Sequence, residues 1–511
     1  MAINPVERRL AELLQRWQAF IDQPDKRVLL WQTPDSGKRM LECFFEMQRH
    51  EAVDGGSTSG DTFIVFDAPF EHAIAYSRAL KEALAGQYAA SHEELERAGQ
   101  TPDWPFVPDE VPDTAAAFLR ALGSLAQHHG VFGHLVAVLM PVRVDDDESW
   151  AAWLDRALQA GVPDGVRLLV PDVQEAPRLE RLAGAGHAQV LAEALPLDAW
   201  SVAQETFAQE PTVGPGGVFR NLLTGLFALA EKGTADQVLA KGRDALAFAR
   251  AQGWADQEVA VRVLTAGVML KERRCDEAVN HYRHARSSAE AARATGHPAG
   301  GQLVLQTWFG EAAAHVAAGD LRRATACYQA AAQLASDLPN PLMWLEALRM
   351  GTYCLAREGD GNAALAFGRP ALAVGERLKP ESRPMTTLPL HSFEMLRLIE
   401  PDRAGRIEAI RRELDRQEVA GRARLETQAA SLEGASDVAA LRQVEQQHLA
   451  EMEDLLRQAQ ARADSEAAGG GPAFREVFEH ARDLLGPAWP IAMQGAIGPA
   501  PHLSNAQGAA A

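Results

Sequence analysis

From about Val218 to Lys379 the chain repeats itself as pairs of amphipathic helices, and self-similarity of this kind constrains the fold class before any other feature does. The clearest unit carries Trp308, Gly319, Ala324, Tyr328 and Ala331, at offsets 0, 11, 16, 20 and 23. Small residues at a helix crossing let two backbones approach, and aromatic rings fill the groove beside them. A neighbouring unit repeats part of this as Ala278, Tyr282 and Ala285, and a third carries Gly359, Ala364 and Ala371.

The pattern resembles the tetratricopeptide (TPR) repeat, on the offsets from Trp308 to Ala331. The spacing is stretched: Ala278 to Ala324 is 46 residues and Ala324 to Ala364 is 40, against a family period of about 34. These are lengthened, TPR-like hairpins covering roughly a third of the chain. The resemblance implies a solenoid with a concave surface that holds a peptide or protein segment.

At 511 residues the chain has room for several domains. Its net charge of −19 and pI of about 5.3 argue against binding a phosphate backbone, which needs basic surface. No window of some 18 apolar residues suggests a membrane span. The amphipathic, charged start, MAINPVERRLAELLQRWQAF, is unlike a signal peptide. Cys43, Cys275, Cys327 and Cys354 form no CxxC or Cys/His cluster. Each reads as a buried free thiol, which fits a reducing, cytoplasmic setting. Abundant Ala, Arg and Gly with little Lys points to a bacterial source.

Before the repeats, strands alternate with helices. Residues 1–25 form a helix, with Leu10, Leu13, Leu14, Trp17 and Ile21 at helical spacing. Strands are expected at 27–31, 62–66, 134–140, 166–170 and 189–195, with helices near 39–50, 72–85, 114–129, 149–159 and 175–184. Residues 86–112 read as a loop or insertion. Alternation of this kind, with continuous apolar runs such as LVAVL and VRLLV, predicts a parallel sheet covered on both faces. After the repeats, 402–466 is strongly charged and helical. Leu441, Val444, Leu449, Met452, Leu455 and Leu456 are partly in coiled-coil register, which suits capping of the solenoid end. A short helix is expected at 474–485, and 486–511 reads as disordered.

The expected architecture is therefore an α/β domain with a three-layer, P-loop-like parallel sheet at 1–207, and a linker at 208–217. An all-α TPR-like solenoid follows at 218–380, a charged helical segment at 381–466 and a flexible tail at 467–511.

The first strand candidate leads through Gln-Thr-Pro-Asp-Ser-Gly-Lys at 32–38 into a helix. In a P-loop, backbone N–H groups and the helix N-terminus cradle phosphate, a lysine neutralises it and a Ser/Thr hydroxyl holds magnesium. Gly37 and Lys38 match the end of that motif. Gln32 stands where its first glycine belongs, and Arg39 where the hydroxyl belongs. The third strand ends at Pro141 rather than at an acidic residue. The acidic run Asp145–Glu148 reads as the start of the following helix, and Asp67 as the cap of the helix after the second strand. The region resembles an AAA-like or STAND-type P-loop NTPase core that has lost its catalytic apparatus. No catalytic residue, no cofactor and no metal site are expected. Should nucleotide bind, Gly37 and Lys38 would hold ATP.

Other patterns have plain structural readings. His128 and His129 point to different faces, and His281 and His284 share a helix face without a third ligand. Trp254, Trp308 and Trp344 recur near the starts of repeat helices and suit packing between repeats, with anchoring of a partner as the functional alternative. The partner-binding residues expected on the first helix of each hairpin are Arg262, Gln306, Arg349 and Tyr353. The expected function is a non-enzymatic interaction scaffold, adaptor or chaperone, for which a secretion-system effector adaptor is one bacterial setting. The alternative is a nucleotide-binding STAND-like switch with the repeats as sensor. A nucleic-acid-binding regulator lacks the basic recognition helix it would need.

Overall fold

The computed structural model describes residues 4–49, 58–97, 99–130, 133–184, 186–198, 201–202, 205–206, 213–434 and 437–492. The chain divides into two compact units, Met1–Glu210 with Gln417–Glu453, and Pro211–Arg416 with Asp454–Ala511. Residues 207–212 of the boundary region and the tail from 493 onward lie outside the described residues.

In the first unit the described elements run α1 (Pro5–Ile21), β1 (Val28–Thr33), α2 (Lys38–Arg49), β2 (Thr62–Phe66), α3 (Ala73–Ala90), α4 (His92–Arg97), α5 (Ala115–His128), β3 (Leu135–Leu139), α6 (Asp147–Ala160), β4 (Val166–Val173), α7 (Glu180–Gly184) and β5 (Val190–Ala194). The five strands form one sheet in the order β2-β3-β4-β1-β5, and every pairing is parallel. Alternate strand residues face opposite sides. Val28, Leu30, Ile64, Phe66, Leu135, Ala137 and Leu168 join one core with α3, α5 and α6. Leu29, Trp31, Phe63, Val136, Val138 and Leu169 join another with α1 and α2. With both faces covered, β3 is apolar at every position, LVAVL, and buried throughout.

Several local expectations change. The stretch expected as a loop at 86–112 instead carries the end of α3 and the short α4. The helix expected at 175–184 shrinks to Glu180–Gly184. Asp67 does not cap α3, which begins at Ala73 with His72 as its N-cap and Ala75 N donating to the imidazole. Asp146 does cap α6, accepting from Ser149 N.

The charged segment after the repeats is two long helices, α18 (Pro401–Ser431) and α19 (Val438–Ala468), and the division between the units runs through both. Its middle, 417–453, belongs with the sheet rather than with a separate segment at 381–466. Leu425, Ala429 and Leu441 enter the core with α3, α5 and α6. Glu426 accepts from Ala73 N at 2.8 Å and Glu433 from Ala116 N at 2.9 Å, so two hairpin carboxylates satisfy the open N-termini of α3 and α5. Arg156 bridges them at 3.4 and 3.3 Å. Beside this, fully buried Lys81 and Asp113 pair at 2.8 Å, and Arg78 joins Asp113 to Glu445 of the hairpin.

The second unit opens with the helices α8 (Gly214–Lys232), α9 (Ala235–Ala251), α10 (Ala255–Lys271), α11 (Cys275–Ala294), α12 (Gly300–Ala318), α13 (Leu321–Asp337), α14 (Pro341–Arg357), α15 (Gly361–Gly368) and α16 (Pro370–Glu376). Successive helices from α8 to α15 pack on one another, as in a helical-repeat solenoid, and α16 continues from α15 through Arg369 and packs on α14. Ala278, Ala285, Ala324, Ala331, Ala364 and Ala371 are fully buried at the crossings. Gly310 of α12 lies under the Tyr282 ring, where a Cβ would sit 2.2 Å from Cε1. Gly319 ends α12 in the left-handed region, φ 79°, which favours glycine. Beyond the repeats, α17 (Leu388–Ile399) packs against α20 (Pro472–Leu485). The tail expected to be disordered is packed at its start: Trp489 and Ile491 are each 2% exposed, and Trp489 lies against Phe478.

Candidate functional site

Three places carry the groups that chemistry or recognition would use. The first is the carboxyl edge of the sheet. β1 lies between β4 and β5, so the connection from β1 runs toward β2 at one edge while that from its neighbour β4 runs to β5 at the other, and ligands of open α/β sheets bind at such a point. A cleft of about 290 Å3 is there, lined by Thr33, Lys38, Glu42, Met140, Trp150, Asp172 and Arg178 among others.

Its charged groups are already engaged, whereas the buried Thr33 Oγ1 has no hydrogen-bond partner among the described residues. Between β1 and α2 the chain makes one tight turn, Asp35–Gly37, with Gly37 N donating to Pro34 O at 2.8 Å. Asp35 N donates to the Glu175 carboxylate at 2.9 Å, so an acidic side chain occupies the turn that leads into α2. The Lys38 ammonium pairs with Asp35 at 2.8 Å. Gly37 is buried, and a Cβ there would meet Leu197 O at 2.4 Å, which makes glycine a packing requirement of this turn. Arg39 points outward with 82% of its side chain exposed and pairs with Glu42. Asp172 accepts from the N–H groups of Val173, Arg178 and Leu179, so it organises its own loop.

The second place is the series of first helices α10, α12 and α14. Gln306 is exposed and Tyr353 is 36% exposed. Arg349 is half-buried and held by Glu346 at 2.8 and 2.6 Å. Arg262 differs from all three. It precedes Ala278 by the same 16 residues that separate Trp308 from Ala324 and Leu348 from Ala364, so it occupies a repeat position that holds a large hydrophobic residue in the next two units. It is 8% exposed, its Nε is buried without a partner, and it makes no ion pair with a described carboxylate. Burial, and then the charge of Arg250, hold its pKa below the ordinary arginine value. The nearby carboxylate, Glu258, is taken by Arg250 at 3.0 Å. The neighbouring imidazole of His281 is lowered by burial and by Arg262, and its Nδ1 is also unpartnered.

The tryptophans pack. Trp254 is ringed by Phe219 and Phe248, the Arg286 guanidinium lies 3.5 Å over Trp308, and Arg377 lies 4.9 Å over Trp344. Trp308 is in the middle of α12, not near its start. His128 and His129 bond separately to Asp103 and Tyr88, and His284 bonds to Asn280 O.

The third place was not legible as a cluster. Glu311 and His315, one turn apart on α12, meet Cys327 of α13, with one donor atom from each within 4.8 Å of the others, all three buried. Glu311 accepts from Arg283 at 2.7 Å and Arg286 at 2.5 Å. Burial raises its pKa, but those hydrogen bonds outweigh it and hold the carboxyl below its ordinary value. Burial, then the Glu311 charge, pushes the Cys327 thiol up to about 11. The spacing Glu-x-x-x-His was visible in the sequence, but the thiol comes from the next helix. Cys354 is also buried, whereas Cys275 is half-buried and Cys43 exposed, so these two do not fit the buried-thiol reading.

No protein-family model and no curated protein matches the chain. Partial likenesses appear among solved structures. Aspartyl phosphate phosphatase F from Bacillus subtilis is 11% identical, covering 83% of this chain and 94% of that one at a TM-score of 0.31. A Rap protein complexed with competence and sporulation factor is 15% identical, over 56% and 80%, at 0.29. A STAND protein with a TPR sensor from Pyrococcus horikoshii is 9% identical, over 93% and 85%, at 0.22. None of the described helices is long and apolar enough to cross a membrane.

Proposed function

We propose that this chain is a non-enzymatic interaction scaffold or adaptor whose helical repeats hold a segment of a partner protein, with Arg262, Gln306, Arg349 and Tyr353 as contact residues. The observation that carries the reading is Arg262. A guanidinium that is nearly buried, unpaired among the described residues and set beside Arg250 and His281 is short of an acceptor. Leaving such a charge without a partner is costly. A carboxylate from a bound peptide supplies what the fold omits, and a desolvated, bidentate arginine contact is a common binding hot spot.

In this reading the α/β domain is a degenerate P-loop-type core that serves as a platform. The turn after β1 is filled by its own acidic groups, Glu175 on Asp35 N and Asp35 on Lys38, where a nucleotide would need free donors. A secretion-system adaptor is one setting for such a scaffold, and the partner's identity decides among settings. The alternative, an ATP-binding switch held by Gly37 and Lys38, rests on the cleft at the carboxyl edge of β1.

The test is selection from a random peptide-display library on the full-length protein. Peptides that enrich should carry an acidic residue and lose binding to Arg262→Gln about tenfold or more, the effect of a hot-spot contact worth over 1 kcal/mol. Enriched peptides that bind the variant equally well would refute the assignment.

A further inference from the structure

Glu311, His315 and Cys327 bring a carboxylate, an imidazole and a thiol together inside the repeats. A hard carboxylate, a borderline imidazole and a soft thiolate are the three ligand types that zinc accepts. A second observation points to a ligand. His315 is 4% exposed, yet its Nε2 has no hydrogen-bond partner among the described residues. That nitrogen lies 3.6 Å from Glu311 Oε1, too long for a hydrogen bond. It is, however, within the about 3.3–3.8 Å that separates neighbouring ligands on a tetrahedral zinc with bonds of 2.0–2.3 Å. All three donor atoms lie within 4.8 Å of one another, so a zinc ion requires the widest pair to draw closer by up to about 1 Å.

We propose that Glu311, His315 and Cys327 bind a zinc ion between α12 and α13, with water as the fourth ligand. The thiol proton leaves to solvent as the zinc–sulfur bond forms, and neither metal nor protein changes oxidation state. Arg286, which stacks on Trp308 and bonds Glu311 Oε2, stays as an outer-shell donor that orients the carboxylate. Each carboxylate oxygen has a second lone pair, so Glu311 can accept these hydrogen bonds and still ligate. Arg283 is the opposing element: its charge faces the ion, but half of its side chain is exposed and can turn to solvent. The site would staple two consecutive repeat helices and fix the pitch of the solenoid at that point.

The experiment uses the untagged full-length protein, stripped of metal with a chelator and titrated with Co2+ and Zn2+. Cobalt should give tetrahedral d–d bands and a sulfur-to-cobalt charge-transfer band, displaced by zinc. Cys327→Ala should abolish the charge-transfer band, whereas Cys43→Ala, Cys275→Ala and Cys354→Ala should keep it. His315→Gln should lower zinc affinity by at least the roughly 100-fold that marks the upper end for loss of an outer-shell partner. Zinc should raise the melting temperature of the native protein and not that of Cys327→Ala, which circular dichroism first shows to be folded. Arg283→Ala should tighten zinc binding; in a purely structural ion-pair cluster it would only lower stability. Absence of a tetrahedral cobalt spectrum, or a charge-transfer band that survives in Cys327→Ala, would overturn the proposal.

Discussion

Acidification should loosen the second unit through the fully buried imidazole of His391. His391 on α17 is fully buried, its Nε2 bonds to Gly368 O at 3.0 Å, and its Nδ1 has no partner. Burial, with a lesser contribution from the Arg349 charge, lowers its pKa from 6.5 to about 4, against opposing effects of the Gly368 carbonyl and Glu346. A proton on Nδ1 therefore binds the unfolded chain first. Between pH 6.5 and about 4 the unfolded state carries more protons than the folded one, so stability falls as pH falls through that window. The full difference is about 3 kcal/mol at 1.36 kcal/mol per pH unit, of which about 2 kcal/mol is lost by pH 5. His391→Gln keeps an amide donor for Gly368 O and removes the titration. Urea unfolding followed by tryptophan fluorescence at pH 7.5 and pH 5 should show the native protein losing about 2 kcal/mol more than the variant. Equal losses, or a His391 proton resonance titrating near 6.5, would refute the reasoning.

Two further perturbations follow from the packing. Gly310→Ala drives a methyl into the Tyr282 ring, whereas Gly267→Ala on α10 meets nothing within 4 Å. The first should destabilise by about 1–3 kcal/mol and the second should stabilise by up to about 1 kcal/mol, read from urea midpoints. Arg156→Met leaves the carboxylates of Glu426 and Glu433 without their shared cation and should cost about 3 kcal/mol. Hydrogen exchange should then rise across 417–453 and at the N-termini of α3 and α5, and unchanged protection would count against those contacts as anchors.

What was legible in the sequence was what repeats or alternates locally. Ala278, Ala324 and Ala364 marked the helix crossings because a close approach restricts side-chain size at the matching place in each unit, whatever the length of the unit. Strands such as LVAVL announced a sheet covered on both faces. What stayed hidden depends on partners distant in sequence. Glu426 on a polar helix and Glu433 just past its end look like ordinary surface charges until they meet Ala73 N and Ala116 N, over 300 residues away. Lys81 and Asp113 likewise read as solvated residues, yet both are buried. In the candidate sites, Gly37-Lys38 suggested a phosphate loop, but the capping of its donors by Glu175 and Asp35 required the fold. Arg262 was expected to face inward as a contact residue; it is 8% exposed, at a repeat position that holds Trp308 and Leu348 in the next two units.

The central claim is that recognition by this chain runs through its repeats and needs no nucleotide. The direct measurement is titration of the full-length protein with a fluorescent ATP analogue, with and without magnesium, beside Lys38→Ala. The account predicts no saturable binding at millimolar nucleotide and identical curves for the two proteins. Saturable binding that Lys38→Ala abolishes would contradict it and would move the centre of function to the cleft beside β1.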